Sequence, residues 1–116
     1  MKKAASFFKV LADEARLNML WLLLNHRELC VCDFMAVLDV AQSKASRHLR
    51  TLFNAGLVSD RRSGLWIYYS LRPAADDFVR AFLEALSSNL ARRQEAVELL
   101  KKLHTWLEQK DQNRCG

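Results

Sequence analysis

The spacing of apolar residues changes twice along the chain and divides it into helical and strand-like parts. Over residues 4–53, apolar side chains recur every three or four positions, which predicts four short helices. Over residues 57–71, β-branched and aromatic residues fall in two runs around a turn at 62–64, which predicts a β-hairpin. Helical spacing returns after Pro73 and predicts one last helix. The expected fold class is mainly α with a small β-hairpin, in the order α-α-α-α-β-β-α.

The sequence marks the boundaries of the first four helices. Asp13 can cap the second helix, because its carboxylate can accept from N–H groups of the first turn. The third helix is expected from Asp33 to Leu38, and after a turn over residues 39–42 the fourth begins near Ser43. Gly56 tolerates a left-handed conformation and ends it. The side chains expected to face the core are Leu17, Leu20, Trp21, Leu24, Ala45, Leu49, Leu52 and Phe53.

The third and fourth helices match a helix-turn-helix, in which a short turn joins two helices and the second enters the major groove of DNA. The outer face of the fourth helix is polar and basic. We interpret the hairpin as a wing with Arg61 and Arg62 at its tip, where they can reach phosphates or the minor groove. The residues expected to contact DNA are Gln42, Ser43, Lys44, Ser46, Arg47, His48, Arg50, Arg61 and Arg62.

The net charge favours this interpretation, because one segment supplies all of it. The sequence of 116 residues carries a net charge of +5. Residues 42–72 contain six basic residues and one acid, so the rest of the chain is balanced. A charge excess confined to one helix and one hairpin is typical of a phosphate-binding surface. The alternative is a solvated basic face, which we disfavour because the same segment has the helix-turn-helix pattern. We expect double-stranded operator DNA as the partner.

The first and last helices carry more apolar surface than a small body can cover. Apolar residues recur at spacings of three, four or seven from Phe78 to Leu107, and the first helix is aromatic. We expect these faces to meet in a homodimer, whose two-fold symmetry suits successive major grooves. An intramolecular helical hairpin is the alternative. The expected interface residues are Phe7, Phe8, Phe78, Phe82 and Leu86.

Composition limits the class of protein. An apolar fraction of 51% with three Gly and one Pro indicates a well-packed, mainly helical domain, expected over residues 1–108 with a flexible tail at 109–116. The longest apolar run is far shorter than the ~20 residues of a membrane span, and we expect a cytoplasmic protein without a membrane partner. The histidines lack metal-ligand spacing, and no residue pattern indicates catalysis. We therefore expect neither enzymatic activity nor an organic cofactor.

Cys30 and Cys32 lie one residue apart beside the helix-turn-helix, and the residues around them carry a family resemblance. The runs that carry it are Leu11-Ala12-Asp13-Glu14-Ala15-Arg16-Leu17, Glu28-Leu29-Cys30-Val31-Cys32-Asp33, Ser46-Arg47-His48-Leu49, Asn54-Ala55-Gly56-Leu57-Val58 and the wing from Asp60 to Leu71. Together they strongly resemble the ArsR family of winged-helix metalloregulatory repressors over roughly residues 5–73.

The resemblance implies a homodimeric winged helix-turn-helix repressor that binds its operator without ligand and leaves it when a metal or metalloid binds. The cysteine run is similar to the arsenite and antimonite branch, which implies As(III) or Sb(III) as the inducer. The last helix lacks the Asp/His pattern of the zinc-sensing branch. The third cysteine of the arsenite branch falls at Met35, and the only other thiol is Cys115. The expected metalloid ligands are Cys30, Cys32 and Cys115; the alternative for Cys115 is a residue of the tail that has no function.

The spacing of Cys30 and Cys32 suggests how a switch can work. Residues i and i+2 of an α-helix point about 200° apart, so two cysteines within a helix cannot hold one ion unless that end bends or unwinds. A redox-responsive repressor that uses the same thiols is an alternative, although a disulfide at this spacing closes a strained ring. The sequence is also compatible with a sensor of another soft metal or of a methylated arsenical, and with a DNA-binding protein that has no ligand. A thiol oxidoreductase is disfavoured because no Cys-x-x-Cys is present.

Overall fold

The computed structural model describes the backbone of residues 1–74 and 76–112 and the side chains as far as Lys110. Within this part, six helices and three strands follow one another, which confirms a mainly helical fold with a small antiparallel sheet. Their bounds are α1 Lys2–Leu11, α2 Glu14–Asn25, β1 Leu29–Cys30, α3 Val31–Leu38, α4 Gln42–Asn54, β2 Val58–Ser63, β3 Trp66–Leu71, α5 Asp77–Leu90 and α6 Gln94–Gln112. None of these helices is long and apolar enough to cross a membrane.

Local signals in the sequence place the elements around the DNA-binding pair correctly. The carboxylate of Asp13 accepts from the backbone N–H of Arg16 at 3.1 Å and caps α2, as predicted. Gly56 follows α4 with a φ of +77°, the left-handed conformation expected there. Gly64, in the turn between β2 and β3, has a φ of +62°. The helix-turn-helix and its wing thus have the predicted order.

The core lies between α2 and the helix-turn-helix. The predicted core residues Leu20, Leu49 and Leu52 are completely buried, and they pack with Met19 and Phe34. Trp21 and Ala45 are also buried, whereas Leu17, Leu24 and Phe53 are half-buried. All five side chains from position 19 to 23 are buried, so this part of α2 is covered nearly all round rather than on one stripe.

The wing belongs to a sheet of three strands in the order β1-β3-β2, within the described residues. The short strand β1 pairs antiparallel with β3, so that Leu29 lies opposite Tyr69 and Cys30 opposite Tyr68. On the other side of β3, Arg61 lies opposite Tyr68. No secondary structure was predicted for residues 27–31, because a strand of two residues is too short to show a periodic pattern. This strand attaches the cysteine segment to the wing.

The last segment is two helices, so the expectation of one long helix is wrong. The chain turns over residues 91–93, where neither glycine nor proline marks the break. Helix α6 returns to pack on α2 and α3, and Leu103 is completely buried there. The indole N–H of Trp21 donates to the backbone carbonyl of Ala96 at 2.8 Å. Its apolar side chains are therefore covered within the chain, by α2 and α3 rather than by α5, so α6 does not form the alternative helical hairpin with α5.

The boundary expected after residue 108 falls inside α6, which continues to Gln112. An ion pair between Lys110 Nζ and Asp33 Oδ1 at 2.9 Å holds the last turns of this helix. The two residues are 77 positions apart in the sequence, so no local pattern predicts this contact. The remainder of the expected tail, 113–116, includes Cys115 and lies outside the described residues.

Candidate functional site

The sulfur atoms of Cys30 and Cys32 lie 3.4 Å apart. Cys30 is the N-cap residue of α3 and has extended backbone angles, φ −91° and ψ 168°. The rule for positions i and i+2 of a helix therefore does not apply to this pair, and the expected bending of the helix is not needed to bring the sulfurs together. Two sulfurs that share one ion at roughly 2.3 Å lie roughly 3 to 4 Å apart, so the pair is already at a chelating separation.

Asp33 fixes the turn that carries the pair. Its Oδ2 accepts from the backbone N–H of Cys30 at 2.8 Å, which caps the first turn of α3. The side chain is only 1% exposed, although Asp is rarely buried without partners. Sequence reasoning treated Asp33 as the start of a helix and missed this role. The usual signal is a capping box with Ser or Thr at its first position, and here a cysteine stands there.

Helix α6 brings two further polar groups to Asp33, and sequence reasoning missed both. The indole N–H of Trp106 donates to Asp33 Oδ1 at 2.8 Å, and Lys110 Nζ donates to the same oxygen at 2.9 Å. Lys110 Nζ also lies 3.6 Å from Cys30 Sγ. Burial acts to lower the pKa of Lys110, but the hydrogen bond and charge of Asp33 outweigh it and raise that pKa. We call Asp33, Trp106 and Lys110 the Asp33 cluster.

The described residues supply two sulfur donors and no third ligand beside them. Met35, where the resemblance places a third cysteine, is half-buried and packs against the apolar core. Among residues 1–74 and 76–110, no group of three or more His, Cys, Asp or Glu side chains is arranged to hold a metal ion. The third expected ligand, Cys115, lies outside the described residues.

The outer face of α4 presents polar and basic side chains, while Ala45, Leu49 and Leu52 fill its inner face. This pattern follows from an amphipathic sequence that buries its apolar stripe against α2 and α3. Such a face has the chemistry to contact phosphates and base edges. The predicted contact residues exposed on it are Gln42, Ser43, Lys44, Arg47 and Arg50, with Ser46 half-buried beside them.

His48 is the exception on this helix, since it is 6% exposed and points inward. Its Nδ1 lies 3.3 Å from Arg16 Nη1, and its Nε2 lies 3.9 Å from Asp13 Oδ1. Burial lowers the pKa of His48; the charge of Asp13 opposes this shift and that of Arg16 adds to it. The expected DNA contact by His48 is corrected accordingly, because its ring joins α4 to the start of α2.

The two wing arginines differ in their surroundings. Arg61 donates from Nε and Nη2 to the two carboxylate oxygens of Glu28, at 2.9 and 2.8 Å, and its guanidinium lies 5.0 Å from the centre of the Tyr68 ring. This hydrogen bond raises the pKa of Arg61 and lowers that of Glu28. Arg61 therefore lies along the wing rather than at its tip. Arg62 is exposed one residue closer to the turn, where Leu65 is 94% exposed.

Four of the residues expected at a dimer interface form one aromatic cluster between α1 and α5. Ring centroids of Phe8 and Phe82 lie 5.0 Å apart, and those of Phe78 and Phe82 lie 4.9 Å apart. Phe7 is buried beneath them, but Phe8, Phe78 and Phe82 are 45%, 36% and 40% exposed. Leu86 is half-buried one turn further along α5. Large apolar side chains exposed together in this way mark an interaction surface.

Comparison with known proteins places these features in a family. Residues 13–60 match the model of the bacterial regulatory protein, arsR family. The chain is 44% identical over 79 residues to the arsenic resistance transcriptional regulator ArsR1 of Pseudomonas putida, covering 68% of this chain and 62% of that protein. It is 52% identical over 66 residues to the arsenical resistance operon repressor of Escherichia coli, covering 57% and 56%. The chain thus spans about three fifths of the length of these relatives.

A third relative is named for a different metal. The cadmium resistance transcriptional regulatory protein CadC of Listeria innocua is 37% identical over 68 residues, covering 59% of this chain and 57% of that protein.

Solved structures give the same fold. HlyU from Vibrio cholerae has a TM-score of 0.69 at 33% identity, covering 78% of this chain and 95% of that one. The AntR antimony-specific transcriptional repressor has a TM-score of 0.61 at 30% identity, covering 72% and 73%. The homodimeric winged helix-turn-helix DNA-binding domain of Mb0332 from Mycobacterium bovis has a TM-score of 0.63 at 27% identity, covering 80% and 82%.

Proposed function

The chain belongs to the arsR family of bacterial regulatory proteins, and on that premise we propose that it is a repressor that binds operator DNA as a homodimer and dissociates when As(III) or Sb(III) binds its cysteines. The observation that carries this proposal is the 3.4 Å separation of the Cys30 and Cys32 sulfurs at the first turn of the helix-turn-helix.

Cysteine chemistry suits the proposed inducers. Trivalent arsenic and antimony are soft centres that take about three ligands, and soft thiolates suit them better than carboxylates or water. Thiols ligate as thiolates, so binding releases protons. Cys30 and Cys32 would supply two of the ligands, and Cys115 or a solvent molecule or small thiol would supply the third.

The proposed DNA reader is the exposed face of α4. Lys44 and Arg47 lie near the start of that helix, the end that contacts base edges in helix-turn-helix proteins. Arg62, which is exposed on the wing, would contact phosphate, whereas Arg61 must leave Glu28 before it can do so. Phosphate contacts of this kind make affinity depend steeply on salt.

A second copy is proposed to cover the exposed rings of Phe8, Phe78 and Phe82. Burial of apolar area drives association, and these rings form one continuous cluster on α1 and α5. The similarity to the homodimeric Mb0332 domain supports this arrangement. Two recognition helices related by a two-fold axis would reach successive major grooves.

Two structural paths join the cysteines to the proposed reader. Helix α3 carries Cys32 and packs against α4, so an inducer that shifts the first turn of α3 would displace the recognition helix. Strand β1 carries Cys30 and pairs with β3 of the wing. A coupling of 1 to 3 kcal/mol is typical of allostery, and by linkage DNA must weaken metalloid binding by the same factor.

The test is release of an operator duplex titrated with arsenite. The double variant Cys30→Ser, Cys32→Ser should keep operator affinity and lose release, because a hydroxyl offers no soft anionic ligand at neutral pH. Release of this variant at the wild-type arsenite concentration would overturn the proposal.

The variant Cys115→Ser tests the third ligand. If that thiol completes the site, operator release should need much more arsenite. Unchanged release would mean that two protein sulfurs are enough to bind the inducer.

A second candidate function is sensing of a soft divalent metal, which the similarity to CadC favours. Cadmium titrated in the same release assay separates the two. Release by cadmium at far lower concentration than by arsenite would favour this candidate. Titration with an oxidant in the same assay tests the redox alternative. Operator release by the oxidant that a reductant reverses would favour that alternative.

A further inference from the structure

We propose that helix α6 is part of the inducer site, where Trp106 and Lys110 position Asp33 so that Cys30 and Cys32 are aligned for chelation before any inducer binds. This inference rests on the proposed function, since it concerns the same cysteines. It adds residues from a helix that lies outside the span of the family match, residues 13–60.

The first step is the control of Cys30 by Asp33. The backbone N–H of Cys30 donates to Asp33 Oδ2 at 2.8 Å, and this bond holds Cys30 in the extended conformation of an N-cap. In that conformation its sulfur lies 3.4 Å from that of Cys32. If Cys30 continued the helix instead, the two side chains would diverge by about 200°. The carboxylate therefore holds the Cys30 side of the pair in place.

The second step is the control of Asp33 by α6. A carboxylate that is 1% exposed needs a cationic or hydrogen-bonding partner to remain charged inside the protein. Both described partners of Oδ1 come from α6, the indole of Trp106 at 2.8 Å and the ammonium of Lys110 at 2.9 Å. Loss of Lys110 would leave the buried carboxylate with the hydrogen bonds from Trp106 and Cys30 but without this positive charge. Asp33 would then turn toward solvent and release Cys30.

Preorganisation of this kind changes ligand affinity without adding a ligand. Partners that orient metal ligands typically contribute 10- to 100-fold to metal affinity. Operator affinity should respond less, because a loosened first turn of α3 is not the fixed displacement that a bound inducer would impose, and α4 still rests on α2 and α3 through apolar core residues. The inference therefore predicts a split between inducer affinity and operator affinity.

The variant Lys110→Met retains the aliphatic stem of Lys110 and removes its charge. Lys101→Met, on the exposed surface of the same helix, is the matched control. Two probes are titrated against the free protein: arsenite, and phenylarsine oxide, which carries its own aryl ligand and needs two protein sulfurs. We expect Lys110→Met to bind both probes roughly tenfold more weakly, Lys101→Met to match wild type, and Lys110→Arg to recover most of the affinity. Unchanged binding of phenylarsine oxide would overturn the inference, since it would show that the sulfurs remain aligned.

Hydrogen exchange tests the alignment without any inducer. Lys110→Met and Trp106→Phe, which keeps an aromatic ring but loses the N–H donor, should both exchange the amides of residues 30–36 faster than wild type and Lys101→Met. Equal exchange in all four proteins would overturn the inference. If wild type bound neither probe, the proposed function would fail, and the exchange measurement would still decide whether α6 holds the cysteine turn.

Discussion

Arg61 and Glu28 form a two-pronged ion pair, with Nε and Nη2 of the arginine 2.9 and 2.8 Å from the two carboxylate oxygens. Glu28 lies two residues before Cys30, and Arg61 lies on the wing strand β2. The pair therefore links the cysteine segment directly to the part of the molecule proposed to contact DNA. This ion pair is a second link between the two parts, in addition to the backbone pairing of β1 with β3.

We predict that Glu28→Gln weakens the coupling between inducer and operator. The measured quantity is the ratio of operator Kd with saturating arsenite to operator Kd without it, which should fall several-fold from a wild-type value of roughly 5 to 150. Stability should change little, because exposed ion pairs contribute little to it. Arg61→Gln should give the same loss, and the double variant no further loss. Additive losses would mean that the two residues act separately.

We predict that Arg47→Ala and Lys44→Ala weaken operator binding. A side chain that reads a base through two hydrogen bonds should cost ~1 to 3 kcal/mol and relax specificity at one position. A phosphate contact should instead lower the slope of log K against log salt by about 1. Fluorescence anisotropy at several salt concentrations measures both, with Lys102→Ala on α6 as the control. Wild-type affinity and slope in both variants would exclude this face of α4 as the reader.

We predict that Phe82→Asp disrupts the dimer while the protomer stays folded. Phe82 is 40% exposed in the single chain, so the substitution opens no large cavity in the core. An unpaired charge in an apolar interface is costly, and the dimer should weaken by roughly 100-fold or more. Sedimentation velocity measures the shift, and Ser88→Asp adds the same charge elsewhere on α5. If Phe82→Asp had the same sedimentation coefficient as wild type, the interface would lie elsewhere. If wild type were monomeric, there would be no such interface.

The parts of the fold that local chemistry specifies were predictable. Asp13 as an N-cap, Gly56 in a left-handed conformation and the hairpin of the wing depend on neighbours within a few residues. The division between α5 and α6 has no such local signal. An apolar stripe is equally compatible with a partner in the same chain or in a second copy, so the spacing of Leu103 and its neighbours could not distinguish the two.

Of the candidate metalloid site, only the two cysteine sulfurs could be predicted from the sequence. Cys30 and Cys32 are apparent from their spacing, but their separation depends on Cys30 lying just outside α3. The partners of Asp33 are 73 and 77 residues away, and no periodicity connects them. The prediction that His48 contacts DNA was wrong for a related reason. It is a polar residue beside Arg47, and only the position of Asp13 and Arg16 in the folded chain shows that it lies inside.

The buried position of His48 also predicts how stability depends on pH. Its pKa in the folded protein lies below the ordinary value of 6.5, chiefly because burial disfavours the charged ring. Below that value the unfolded chain binds a proton that the folded chain resists, so the free energy of unfolding should fall as pH decreases from about 7 toward 5. The lowered pKa of Asp13 acts at a lower pH, below its ordinary value of 3.8, and does not affect this window. Urea unfolding at a series of pH values should therefore show a smaller slope in His48→Gln than in wild type, with His104→Gln on the exposed surface of α6 as the control. An equal slope in His48→Gln and wild type would show that the ring is not held neutral between α4 and α2.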